Sequence, residues 1–203
     1  HLIKILDVEA KVTWVTSAND AGKEITRVDG SPYNPKNYLV SVGVVPVNDG
    51  VVGEPIYEFL QHNEFTGSAK AAAERIQREL DSTTLLVAHN AKFDLQWLWE
   101  SGFTYDGPIY CTMVGEYIFA RGQKTHGFSL EESCKLRKLV ESKKSDLTKP
   151  YWDQKIGYEA MPMAIVQEYG TADIVSTAYL YLDQQKRLQE AANAGLKPTF
   201  AMS

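Results

Sequence analysis

Leu2 to Ala10 (LIKILDVEA) is a run of β-formers short enough for a central strand. Side chains on a strand alternate between faces, so Ile3, Ile5, Asp7 and Glu9 point one way and Leu6, Val8 and Ala10 the other. The polar stretch from Ser17 to Asn37 carries Asn19-Asp20, Asp29-Gly30, Ser31-Pro32 and Asn34-Pro35, all loop signals, and predicts an irregular excursion within the domain. Tyr38 to Val47 and Val51 to Gln61 predict two strands joined around Asn48-Asp49-Gly50, a hairpin signal, so the sheet starts antiparallel.

Helical signals take over further along. Ala69 to Leu80 is rich in helix formers and ends before Asp81-Ser82. Thr84 to Ala88 predicts a short apolar strand, Lys92 to Glu100 a helix stopped near Ser101-Gly102, and residues 108–111 a further strand. Helices are expected over Met113 to Ala120 and Ser129 to Leu139, the second opened by a Ser129-x-x-Glu132 capping box. Residues 140–160 are polar and predict irregular structure, and Pro162 suits the first turn of a long helix reaching about Glu190. The order predicts an α/β domain over residues 1–190, a mixed five-stranded sheet with an antiparallel edge and flanking helices, and a loose tail over 191–203.

Composition narrows this picture only a little. At 203 residues, 44% hydrophobic and 23% charged, the chain suits one soluble domain with a real core. It has no apolar run of membrane length and no signal-peptide pattern at its start, so an intracellular, cytoplasmic protein is expected. Cys111 and Cys134 are too few for a disulfide framework and are expected to be free thiols. The formal charge of −5 runs against nucleic-acid binding unless part of the acidic excess holds cations. Basic residues remain at Arg121 and Lys124, at Lys135, Arg137 and Lys138, and at Lys143, Lys144 and Lys149.

The acidic residues then become informative. Asp7 and Glu9 share one face at the carboxyl end of a buried strand, where two carboxylates repel, or one takes up a proton, unless cations neutralise them. Asp94 falls in the first helical turn after a strand, and strand carboxyl ends are where open α/β sheets place their sites. Such an Asp also suits the helix dipole, and Asn90 suits an N-cap. His89 reads as a packed or surface histidine. On the long helix Tyr169 and Asp173 are four apart and lie on one face. Gly170 between them costs roughly 1 kcal/mol relative to Ala in a helix, which points to a close neighbour.

Taken in order, Asp7-Val8-Glu9, Asn90-x-x-x-Asp94 and Tyr169-x-x-x-Asp173 resemble the three blocks of the DEDD superfamily of 3′–5′ exonucleases. Glu168, five residues before Asp173, stands where a histidine subclass has His, so the chain resembles the tyrosine subclass. Within it, the chain is most similar to the proofreading domains of family A DNA polymerases and to phage versions on separate chains. One departure is Cys111-Thr112, where such domains show Asp-Thr. The resemblance implies a ribonuclease H-like fold and two divalent cations, Mg²⁺ or Mn²⁺, on Asp7, Glu9, Asp94 and Asp173. It implies that Tyr169 orients the attacking water, a phenol of pKa about 10 being a poor base at neutral pH. The implied substrate is a single-stranded DNA 3′ end, with Asn90 positioning the terminal nucleotide and Trp14 and Phe93 available to stack on bases, and a DNA polymerase as the implied partner. For Phe93 and Trp97, packing in the core is the competing expectation. Two alternatives stay open: an exoribonuclease of the same fold, and an inactive nucleic-acid-binding polymerase accessory module.

Overall fold

The computed structural model describes residues 2–121, 123, 127–139 and 145–195. Strands β1 (Ile3–Lys11), β2 (Thr13–Ala18), β3 (Glu24–Asp29), β4 (Tyr38–Asn48), β5 (Val51–Val52) and β6 (Ile56–Phe59) come first. Helix α1 (Ala69–Asp81), strand β7 (Leu85–Ala88), helix α2 (Ala91–Glu100) and strand β8 (Ile109–Cys111) follow. The chain then continues as α3 (Thr112–Phe119), α4 (Leu130–Arg137), α5 (Ser145–Trp152) and α6 (Met163–Asn193).

The main sheet runs β5-β4-β1-β7-β8, with β6 also paired to β4. β5 and β6 lie end to end along the edge of β4 away from β1, so the sheet is five strand positions wide, as expected. Their break falls at Gly53 to Pro55, where the proline has no N–H to give a ladder. The β4–β5 turn places Asp49 and Gly50 at φ 49 and 79, the left-handed geometry that suits a tight hairpin. β4 runs antiparallel to β1, whereas β7 and β8 are parallel to it.

Alternation along β1 separates the two layers that cover the sheet. Leu6, Val8 and Ala10 pack with Ile76 and Leu80 of α1 and Leu95, Trp97 and Leu98 of α2. Ile5 on the opposite face packs with Val45, Val87 and, on α6, Ile174, Ala178 and Tyr181. Each such Val, Leu or Ile contributes about 1.5–3 kcal/mol on burial. Polar clamps fix the helices against this core. Lys4, 5% exposed, reaches the carboxyl end of α1 through Glu79 Oε2 at 2.5 Å and Ser82 Oγ at 2.7 Å. Arg137 of α4 donates to both oxygens of the buried Glu116 on α3 and to Asp183 on α6, so it is a structural cation.

Several expectations change. The excursion after β1 is not all loop: β2 and β3 form a separate antiparallel hairpin, with Trp14 opposite Val28. Its Asn19-Asp20 signal marks the turn, where the Asn19 carboxamide accepts from the backbone of Ala21 and Lys23. Because the hairpin leaves the main sheet, both its faces keep polar residues, which hides the pattern of a buried strand. Residues 145–152, expected to be irregular, form α5, whose polar sequence and internal Pro150 carry little helical signal. Pro162 caps α6 rather than entering its first turn, and α6 runs three residues past Glu190. The rest of the expected tail, residues 196–203, lies outside the described residues, as do Lys124, Lys143 and Lys144.

The cost of Gly170 has a structural reason. A Cβ there would meet the Tyr57 hydroxyl and lie 2.5 Å from its Cε2. Tyr57 has little freedom to retreat, since its hydroxyl bonds Ser41 Oγ at 2.8 Å and Val166 O at 3.3 Å and its ring faces Gly43. Gly170→Ala is therefore expected to lower stability by about 1–3 kcal/mol through overpacking, despite better helix propensity. A thermal melt checks this; an unchanged or higher Tm would mean that Tyr57 gives way freely.

Candidate active site

β1 outruns its parallel neighbour. The β1–β7 ladder ends at Ile5 paired with Val87, so Asp7 and Glu9 project where the chain of β7 has already turned into α2. A register shift between Glu9 and Ala10 against β4 bends the strand there, a bulge of the kind that re-aims side chains at sites. α6 crosses the same face and supplies Asp173 one turn after Tyr169. Asp7, Glu9 and Asp173 each offer a carboxylate oxygen, and the three lie within 4.8 Å of one another.

Asp94 approaches from the other side of β1. It is buried, 2% exposed, and its Oδ1 accepts from the backbone N–H of Val8 at 3.2 Å. The acid thus bonds β1 backbone between the two acidic positions. Its Oδ2 is buried with no hydrogen-bond partner among the described residues, which is costly for a carboxylate. Asp94 lies outside the close group of three.

Electrostatics in this pocket are unfavourable to the apo protein. Burial pushes the Glu9 carboxyl well up, and Asp7 and then Asp173 push it further. Burial does the same to Asp94, with Glu9 adding to it against the opposing Val8 bond. Three converging carboxylates plus a buried oxygen without a partner form a hard-oxygen donor set, which fits divalent cations.

Tyr169 faces the same group. Its phenol is held well above its ordinary pKa, first by burial, then by Asp173, Glu9 and Asp7, so it keeps its proton. Reading the sequence for acidic blocks missed Tyr158, in the loop between α5 and α6. Its ring stacks on Tyr169 with centroids 5.9 Å apart and 28° between planes. Its hydroxyl lies close enough to Glu9 and Tyr169 to lower the pKa of each, against the larger effect of burial. Trp152 stands edge-on to Tyr158 at 5.1 Å, and Trp14 edge-on to Trp152 at 5.7 Å. Nothing in the motif spacing marks Tyr158; only its place beside other aromatics sets it apart.

The remaining candidates divide. Asn90 caps α2 by position but not by its side chain, which makes no cap bond; it is exposed in the left-handed region at φ 64, a conformation favoured at functional turns. Phe93, for which core packing was the competing expectation, is 36% exposed beside Gly30 and Val12 at the base of the hairpin. Trp97 is core, 2% exposed. Trp14 is half-buried on β2, at the outer end of the aromatic series. His89 packs structurally: its Nε2–H donates to Phe128 O, its Nδ1 bonds Thr112 Oγ1, and burial lowers its pKa. Cys111 closes β8, half-buried beside Asp94, whose pKa it helps to raise.

Residues 57–189, more than half of the chain, match the family model for DNA polymerase A exonucleases, described as 3′–5′ exonuclease. The chain belongs to the 3′–5′ exonuclease family. The match includes Asp94, Tyr169 and Asp173 and begins after Asp7 and Glu9, which the fold brings to the same place. A search of curated proteins found no match. Among solved structures, this exonuclease chain is similar to a nuclease in its apo form at 18% identity, TM-score 0.57, covering 99% of this chain and 90% of that one. It is also similar to Brucella melitensis NrnC with bound Mg²⁺ at 18% identity and TM-score 0.55, and to the same protein bound to pGG at TM-score 0.54, each covering 95% of this chain and 76% of that one. These likenesses establish the fold, a mixed α/β sheet of the ribonuclease H-like type flanked by helices. No helix among the described residues is long and apolar enough to cross a membrane.

Buried acids with raised pKa hold protons that the unfolded chain has already lost, so the folded state is penalised as pH rises above the ordinary carboxyl range. With Glu9 and Asp94 both raised, the chelated protein is expected to lose thermal stability as pH rises from about 5 towards neutrality and beyond. Mg²⁺ is expected to recover more of it at the higher pH. Melts in chelator and in Mg²⁺ across that range test this, and a Tm that rises with pH and ignores Mg²⁺ would contradict it.

Proposed function

We propose that this member of the 3′–5′ exonuclease family is a two-metal enzyme of the tyrosine subclass that removes nucleoside monophosphates from the 3′ end of single-stranded DNA. The observation that carries the reading is the convergence of Asp7, Glu9 and Asp173, with Asp94 and Tyr169 beside them, from three separated stretches of chain. Asp7, Glu9, Asp94 and Asp173 would hold two divalent cations, Mg²⁺ or Mn²⁺, which when bound supply an activated water and neutralise charge on the leaving 3′-oxygen. In this reading Asp7, Glu9 and Asp173 would hold the ions directly, and Asp94, outside the close group, would contribute through water.

Tyr169 keeps its proton, so it donates or relays a hydrogen bond rather than abstracting a proton. Its role is to orient the attacking water. Asn90, exposed at the turn ahead of α2, would contact the terminal nucleotide, and Phe93 and Trp14 offer faces on which bases stack. The residues are grouped as one exonuclease domain over 1–190. The family label supports DNA as substrate and proofreading for a DNA polymerase, on the same chain or a separate phage-type one. The fold likeness to NrnC, solved with pGG, makes RNA the second arm of any substrate test.

Incubation with 5′-labelled single-stranded DNA and Mg²⁺ or Mn²⁺ is expected to produce a ladder shortening from the 3′ end and to stop in chelator. Matched RNA is expected to be degraded more slowly; the reverse order would make the enzyme an exoribonuclease, and no ladder on either would leave a binding module. Asp7→Ala is expected to lower turnover by at least about 10²–10³-fold, with metal-free Tm unchanged or raised as repulsion is relieved. Tyr169→Phe is expected to slow turnover by less than the roughly 10²–10⁴-fold of a general base while leaving Mn²⁺ binding intact. Unchanged turnover would remove its role.

A further inference from the structure

The acidic group and Tyr169 account for the proposed chemistry, yet neither explains why Glu9 and Tyr169 hold their orientations before substrate arrives. A buried carboxylate crowded by two others is pushed apart by its neighbours, and a phenol on a helix rotates about two bonds. Both touch one further group. Tyr158 comes from the loop ahead of α6, stacks at 28° on the Tyr169 ring with centroids 5.9 Å apart, and lies close enough to Glu9 for its hydroxyl to lower that acid's pKa against burial. The loop itself is anchored on either side of Tyr158. Trp152, the last residue of α5, stands nearly perpendicular to Tyr158 at 87° and rests on Trp14 of the hairpin. The Asn63 backbone N–H donates to Glu159 O, and the Nε2–H of buried His62 donates to Met161 O at 2.8 Å. His62 Nδ1 accepts from Glu64 N, which fixes that tautomer.

We infer that Tyr158 is a positioning residue, whose hydroxyl sets the Glu9 carboxylate for metal and whose ring sets the Tyr169 hydroxyl for water. This rests on the two-metal reading above. A phenol bonded to one carboxylate oxygen leaves the other for a cation and lowers the number of orientations the acid must give up on binding. The stacked ring removes rotational freedom from Tyr169 in the same way. Bonds of this outer kind cost about 10–100-fold in metal affinity when lost.

The test uses Tyr158→Phe, which keeps the ring and removes the hydroxyl, together with Tyr158→Leu, which removes both. Mn²⁺ binding to each protein is measured calorimetrically without DNA, turnover is measured across Mn²⁺ concentrations, and Tm is measured in chelator. Tyr158→Phe is expected to bind Mn²⁺ about 10–100-fold more weakly, with chelated Tm unchanged. Tyr158→Leu is expected to lose turnover at saturating Mn²⁺ as well, and to lose much less of it in a Tyr169→Phe background, because the two rings act as one unit. Wild-type Mn²⁺ affinity in Tyr158→Phe with additive losses in the double variant would overturn the inference, as would a chelated Tm that falls in step with the binding loss. If the parent protein itself neither binds Mn²⁺ nor shortens DNA, the two-metal reading fails; if it does both and Tyr158→Phe matches it, only the role of Tyr158 fails.

Discussion

Negative charge held out of water is the constraint around which this molecule is arranged. Asp7, Glu9 and Asp173 stand within 4.8 Å of one another, and burial together with the charges of the other two pushes the Glu9 carboxyl well above its ordinary range. A fold tolerates such a group only where many other contacts over-determine it. Here the surrounding core does so. β1 is central, hydrogen-bonded on both edges, and sandwiched between α1 and α2 on one face and α6 on the other. Asp7 and Glu9 are carried by a strand paired on both edges and Asp173 by the longest of the described helices, so they cannot separate without breaking the sheet or lifting α6.

Each element that positions the acids does so by stopping or bending. β7 stops short of Asp7, which opens the crevice and frees Asp94 to bond the backbone of Val8. The bulge after Glu9 turns the end of β1. Gly170 lets Tyr57 press between β4 and α6, drawing the helix onto the sheet edge beside the acids. Local departures from regular structure therefore concentrate at the site, while regular pairing elsewhere bears the stability. The far half of α6 is held by a separate polar network, in which Arg137 and Gln184 both satisfy the buried Glu116. That network buries the Arg137 guanidinium against Glu116 and Asp183, so it is committed to holding the helices together.

The aromatic series from Trp14 to Tyr169 gives the site its second wall. It ties a hairpin outside the main sheet, a short helix and a loop to the face of the acids, one ring against the next. The hairpin is thereby part of the site's architecture and not a decoration on the strand that precedes it. Phe93 sits beside Gly30 at the base of the hairpin.

Strand alternation and helix spacing determined most of the chain from the sequence alone. The face shared by Asp7 and Glu9, the strand-to-turn position of Asp94, the one-turn spacing of Tyr169 and Asp173 and the strain signalled by Gly170 follow from local periodicity and propensity. Those rules act within a few residues, so they reach elements whose pattern is strong, and they place a residue on a face without saying what the face meets. Tertiary structure decided the rest. The hairpin and α5 are stabilised by packing against distant segments, and their own residues are too polar to announce them. Phe93 and Trp97, four residues apart on α2, share one face with their rings 6.4 Å apart, yet Trp97 packs into the core under the sheet while Phe93, one turn earlier, lies beside Gly30 at the base of the hairpin and stays partly exposed. Tyr158 carries no motif at all; its place follows from a loop folded back over the strand, a long-range contact that no local spacing encodes.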